Sequence, residues 1–158
     1  MSAVFNEQPE TAVPTHWNER RLIGRALSEW ESLRDGRSFP SCVEFDDAAL
    51  PDNKANVFVV EVGKSEPEDR IIRAGRRFIE ALGLNPVGRR AMDVLPSAER
   101  RLSFCHTVVR FQKPLADIGR FTNVRGEDVW YRCILLPTSS DQVRVNHVVG
   151  AFSYKVVP

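Results

Sequence analysis

The chain has 158 residues, 42% hydrophobic and 27% charged, which suits one packed domain with an added terminal segment. Its 22 basic and 21 acidic side chains leave a net charge of +1, without the basic excess of a dedicated nucleic-acid binder. No apolar run approaches a bilayer span, and the start, MSAVFNEQPETAVPTHWNERR, lacks the basic and apolar regions of a secretory signal, so a cytoplasmic protein with no membrane partner is expected.

Residues 1–15 hold Pro9 and Pro14 and no periodic apolar pattern, which predicts a flexible tail. In HWNERRLIGRALSEWESLRDG, Ile23, Ala26, Leu27, Trp30 and Leu33 recur at helical spacing until Gly36 stops the pattern. The result is an amphipathic helix with Arg25, Glu29 and Arg34 on its other face. Pro40 and Pro51 mark an irregular connection, with a short helical turn predicted at Phe45–Leu50 and started by Asp46 or Asp47. Helix and connection together make up residues 16–54, and the compact core is expected over 55–156.

NVFVVEV (56–62), rich in β-branched residues, reads as a buried strand; GKSEPED is a hairpin-length loop and RIIRAG a second strand. Residues 76–83 predict a short helix ending in a left-handed cap at Gly83. NPVGRRAMDVLP is turn and short helix. A longer helix is predicted from about Ser97 to Gln112, with Leu102, Cys105, Val108 and Val109 on its apolar arc. The last third changes period: PLADIGRFTN, EDVWYRCILLP and VRVNHVVGAFSYK are three strands joined by VRG and TSSDQ turns. Two strands, then helices, then three strands predict an α+β fold on a five-stranded antiparallel sheet.

RAGRRFIEALGLNPVGR (73–89) invites a phosphate-loop reading, since Gly83 and Gly88 have the right separation. Arg89 and Arg90 follow, however, where a lysine and a hydroxyl would be needed, so the glycines read as turn punctuation. Arg73, Arg76, Arg77, Arg89, Arg90, Arg100 and Arg101 are offset by Glu66, Glu68, Asp69, Glu80 and Glu99 and read as a solvated face. Cys42, Cys105 and Cys133 are widely spaced and form no CxxC pair, which fits reduced thiols rather than disulfides or zinc.

The order of elements resembles a PAS domain over roughly residues 27–156. WESLRDGRSFPS is similar to the lead-in of a bacterial PAS subfamily through Trp30, Leu33, Arg34, Gly36 and Pro40. RIIRAGRRFIEALGLNPVGR resembles its second strand, short helix and Gly-ended turn. VWYRCILLP resembles its fourth strand through Tyr131, Arg132, Leu135, Leu136 and Pro137. The resemblance implies short helices and one longer helix on one sheet face, and sensing or protein interaction rather than catalysis.

In PAS folds a ligand, where there is one, sits between the inner sheet face and the longer helix. That implies a candidate cavity among Phe58, Phe78, Met92, Cys105, His106, Val109, Phe121, Trp130, Arg132 and Ile134; ordinary core packing is the competing reading of the same residues. No cofactor is expected. Haem-binding PAS domains ligate iron through a histidine on the corresponding helix, which makes His106 the residue to test. Light-sensing PAS relatives carry a reactive cysteine in a GRNCRFLQ-type stretch, whereas Cys105 stands in SFCHTVV and suits a small buried apolar role. Strand alternation sets Arg132 on one face with Trp130 and Ile134, and Tyr131, Cys133 and Leu135 on the other. Arg132 would anchor an anion, lie over an aromatic ring or pair with a carboxylate such as Asp93, and pairing is the favoured reading.

The stripe Ile23, Leu27, Trp30 and Leu33 must bury itself somewhere, and a homodimer interface is expected, with intramolecular packing as the alternative. His16, His106 and His147 have no metal spacing, and no Ser/His/Asp set or paired catalytic carboxylates can be assembled. The expected function is thus a non-catalytic sensory or regulatory module that dimerises and binds a signalling protein, gated by a small apolar ligand. A small cavity enzyme or binder of the ketosteroid-isomerase or polyketide-cyclase type is the alternative. A buried Asp or His projecting into the cavity would favour the enzyme.

Overall fold

The computed structural model describes residues 14–48, 51–95 and 104–158, and the strand candidates within them form one sheet. β1 (Val57–Glu61), β2 (Arg70–Ala74), β3 (Leu115–Thr122), β4 (Asp128–Thr138) and β5 (His147–Val157) lie in the order β2-β1-β5-β4-β3, every neighbour antiparallel. The last strand is central, hydrogen-bonded to β1 on one side and β4 on the other.

Register divides the side chains into two faces. Phe58 pairs with Gly150, Gly150 with Leu135, and Leu135 with Leu115; one step along, Phe152 pairs with Cys133 and Cys133 with Asp117. These belong to the inner face, with Tyr131, Tyr154 and Phe121. Val57, Val59, Val149, Ala151, Ile134 and Leu136 alternate with them and belong to the outer face. β4 and β5 are therefore buried on both sides, and both sides need a cover.

The inner cover is α3 (Arg76–Leu82), which packs on β5, and α5 (Phe104–Phe111), which packs on β4 and β5; α4 (Ala91–Val94) precedes α5. Gly83 ends α3 in the left-handed conformation (φ 82°), and its N–H donates to Ile79 O, as the sequence predicts. The outer cover is α1 (Pro14–Arg34), which crosses β4 and β5. Leu22, Ala26 and Trp30 are its buried residues, with Ile23 and Leu33 packed beside them. Each large side chain so buried contributes about 1.5–3 kcal/mol.

Two quoted features of the sequence meet here. Trp30 Nε1 donates to the Pro137 carbonyl at 2.7 Å, joining the lead-in helix to β4. Beyond it, Phe39 and Gln142 exchange two hydrogen bonds (3.2 and 2.8 Å), and Ser139 N donates to Pro40 O.

The second helix differs from its prediction. α2 runs Cys42–Ala48, beginning before Phe45, because Ser41 and Glu44 form a capping box: Glu44 N donates to Ser41 Oγ (3.1 Å) and Ser41 N to Glu44 Oε1 (2.9 Å). The Ser41 N–H, helped by Arg37, holds the Glu44 carboxyl below its usual range. A 3₁₀ segment, Pro51–Asn56, then leads into β1. The predicted tail falls mostly outside the described residues, as do the predicted start of the longer helix at Ser97, with Leu102, and the arginines at 100 and 101.

Candidate functional site

The space where the resemblance places a ligand is occupied by aromatic rings. Phe58 from β1 stacks on Phe78 from α3, with centroids 4.2 Å apart and planes at 14°. Phe78 meets Phe152 edge-on at 5.0 Å, Phe152 stacks on Tyr131 at 5.5 Å, and Tyr131 meets Phe121 at 5.9 Å. Such contacts add about 0.5–1.5 kcal/mol each beyond area burial. Gly150 permits the row: a Cβ there would lie 2.3 Å from Phe58 Cε1, so only glycine lets the ring lie on β5. Tyr131 Oη donates to Asp117 Oδ2 at 2.5 Å.

The ten residues predicted to line one cavity do not line one. Phe58, Phe78 and Cys105 are buried in the inner core, with Val109 and Phe121 packed at its margin and Met92 half-buried on α4. Ile134, Trp130 and Arg132 belong to the outer face, a sheet thickness away. Trp130 lies under the Arg120 guanidinium at 5.8 Å, and Asp93 is paired with Arg90 at 2.8 Å. Two arginines of the glycine-rich stretch have partners as well: Arg76 reaches Glu80 at 3.7 Å and Arg77 stacks over Tyr154 at 5.0 Å.

His106 does sit beside a buried acid, one that the sequence reading counted among surface charges. Asp69 is 1% exposed; its Oδ1 accepts the Gly63 N–H (2.8 Å) and its Oδ2 lies 2.8 Å from His106 Nδ1. Desolvation raises the Asp69 carboxyl above its usual value, against the opposing pull of Gly63 and His106. The pair ties the β1–β2 loop to α5. No periodicity marks Asp69, since the loop residue EPED-R becomes buried only when α5 docks.

A metal would take His106 through Nε2, since Asp69 engages Nδ1 and orients the ring. A reactive flavin thiol is not what Cys105 supplies. Cys105 is fully buried, and desolvation together with the Asp69 and Glu66 charges pushes its thiol far up, away from thiolate.

The outer face carries an open space instead. α1 covers β4 and β5, placing Trp30 against the chain's own sheet and Ile23 and Leu33 half-buried, while Leu27 remains 37% exposed. Farther along, α2 and the 3₁₀ segment roof β1 and leave a cavity of about 230 Å³. Val57, Val59 and Val149 form its floor, Phe45 and Cys42 face it from α2, and Lys54 and Arg73 stand on its wall. None of these is a site expectation from sequence, where Arg73 reads as part of a solvated face and Cys42 as a reduced thiol. The available signal was that NVFVVEV is apolar on both faces, so a second cover over β1 was required. No helix among the described residues is long and apolar enough to cross a membrane.

No family model matches the chain, and no curated protein matches it in sequence. Solved structures do match. The LOV domain from the Erythrobacter litoralis blue-light activated histidine kinase is 15% identical, with a TM-score of 0.50 over 64% of this chain and 95% of that one. The dark structure of the blue-light photoreceptor Aureochrome1 LOV is 11% identical, with a TM-score of 0.50 over 67% of this chain and 78% of that one. A PAS domain from Colwellia psychrerythraea is also similar, at 14% identity and a TM-score of 0.48 over 64% of this chain and 86% of that one. At these identities the likeness speaks for the fold alone. The likeness to the two LOV domains, with the five-stranded antiparallel sheet and α3 and α5 on its inner face, shows that the chain has the PAS fold.

Proposed function

We propose that this chain is a non-catalytic sensory or regulatory module of the cytoplasm, acting through homodimerisation and contact with a signalling protein. The observation that carries this reading is the inner face, closed by the Phe58–Phe78–Phe152–Tyr131 row. The cavity-enzyme alternative asks for an acid or base projecting into an apolar chamber. Asp69 instead ties a loop to a helix through Gly63 and His106. A similar fold serves in a blue-light activated histidine kinase, which supports a signalling role.

The dimer contact falls on the solvent side of α1. Trp30 and Leu22 are committed to the chain's own sheet, which leaves Leu27, with Ile23 one turn before it, to meet a second copy. Sedimentation velocity across the micromolar range tests this. A wild-type dimer that becomes a monomer with Leu27→Glu supports the reading, and a wild-type monomer throughout overturns it.

A further inference from the structure

The outer-face cavity has a built wall and a consistent chemistry. Its floor is aliphatic, from Val57, Val59 and Val149, and Phe45 lies across it. Among the described residues, Lys54 and Arg73 are its two charged lining residues, and no carboxylate stands with them in the lining. The wall that carries Lys54 is fixed in place: Gly75 N donates to Val57 O at 2.8 Å, and a Cβ on Gly75 would lie 2.4 Å from the carbonyl oxygens of Lys54 and Ala55. The 3₁₀ segment therefore rests directly on the end of β2, where glycine alone allows so close an approach.

Size narrows the occupant. A dry cavity of about 150 Å³ takes benzene, so 230 Å³ takes a body of roughly eight to ten non-hydrogen atoms. The pocket is partly open to solvent, but its aliphatic floor offers water no polar side chain. The charged wall then asks for an anion at one end. Arg73 carries five N–H donors, so it can serve a carboxylate alongside a protein partner, and Lys54 adds three more.

We infer that this cavity binds a small monocarboxylate with an apolar body, of benzoate to octanoate size, its carboxylate between Lys54 and Arg73 and its hydrocarbon over Val57, Val59 and Val149. The site lies on the face of the sheet opposite the one where the PAS resemblance placed a ligand. It is also independent of the signalling proposal, since occupancy is measured without a partner or a dimer.

The test is a titration of the full chain followed by amide ¹H–¹⁵N spectra, with octanoate and benzoate as probes and octanol and octylammonium as controls of matched body. Octanoate is expected to give saturable shifts centred on Val57, Val59, Gly75 and Val149, and to bind more tightly than octanol, with octylammonium weakest. Lys54→Gln and Arg73→Gln, both at exposed positions that leave the core intact, should each weaken octanoate by roughly 2- to 5-fold, the worth of a rim ion pair. Val57→Phe should abolish binding by filling the floor. Absence of saturable shifts, octylammonium binding as tightly as octanoate, or shifts centred on Phe78 and Cys105 would each overturn the proposal.

Discussion

On the inner face of the sheet, rings from β1, α3, β5, β4 and β3 touch in an unbroken row, and Gly150 is kept bare so that one of them can lie flat. On the outer face, a three-turn stretch of α1 seals β4 and β5, whereas β1 is roofed by a helix of seven residues and a 3₁₀ segment of six. A long amphipathic helix presents a continuous stripe that fills the groove beneath it. Two short segments do not, and about 230 Å³ remains beneath them. The same sheet thus carries an over-determined face and an under-filled one.

Substitutions break this contrast in opposite directions. The largest effect is expected from Phe78→Ala, which removes the ring shared by Phe58 and Phe152 and should lower stability by about 3–5 kcal/mol in urea denaturation. Trp30→Phe keeps the ring packing but takes the donor from the Pro137 carbonyl; about 1–3 kcal/mol should be lost, with α1 loosening first in hydrogen exchange. Gly150→Ala adds a single methyl against Phe58 and should cost about 1–3 kcal/mol. Val57→Leu also adds carbon, but towards the cavity, and should raise stability by about 0.5–2 kcal/mol. If Val57→Leu destabilises as much as Gly150→Ala, the outer face is as tightly packed as the inner one and the contrast fails.

The smallest effect lies away from both faces. In the β4–β5 loop, Asp141 accepts N–H bonds from Val143 and Arg144 at 2.9 and 3.0 Å, and these hold its carboxyl at about 2, below the ordinary 3.8. A depressed value in the fold means stability that is present above 3.8 and lost as pH falls through about 2. Asp141→Asn should therefore lower the melting temperature slightly at neutral pH, and the gap to wild type should close as the solution is acidified.

Much of the architecture was legible in the residues. The change from helical period in α1 to strand period after Pro114 separated the helices from the final meander, and Gly83 marked a helix end by its freedom at positive φ. The capping box Ser41–Glu44 is equally legible, and it starts α2 earlier than the aspartates that follow would. Two conclusions about the site failed for one reason. The register, not alternation within β4, puts Trp130, Arg132 and Ile134 on the face opposite Phe58, and Asp69 is buried beside α5 rather than solvated. Period tells which residues share a face, but not which face of a neighbouring strand they join or which loop a helix will cover.

The sequence by itself determined the elements, the apolar content of both faces of β1, β4 and β5, and the amphipathic stripe of α1, because these follow from local period and from turn chemistry. Tertiary structure alone decided that Trp30 reaches Pro137, that the inner face is closed by rings, that Asp69 meets His106, and that the open space lies under α2. Each of these depends on contacts between residues tens of positions apart, whose register is set only when β5 enters between β1 and β4.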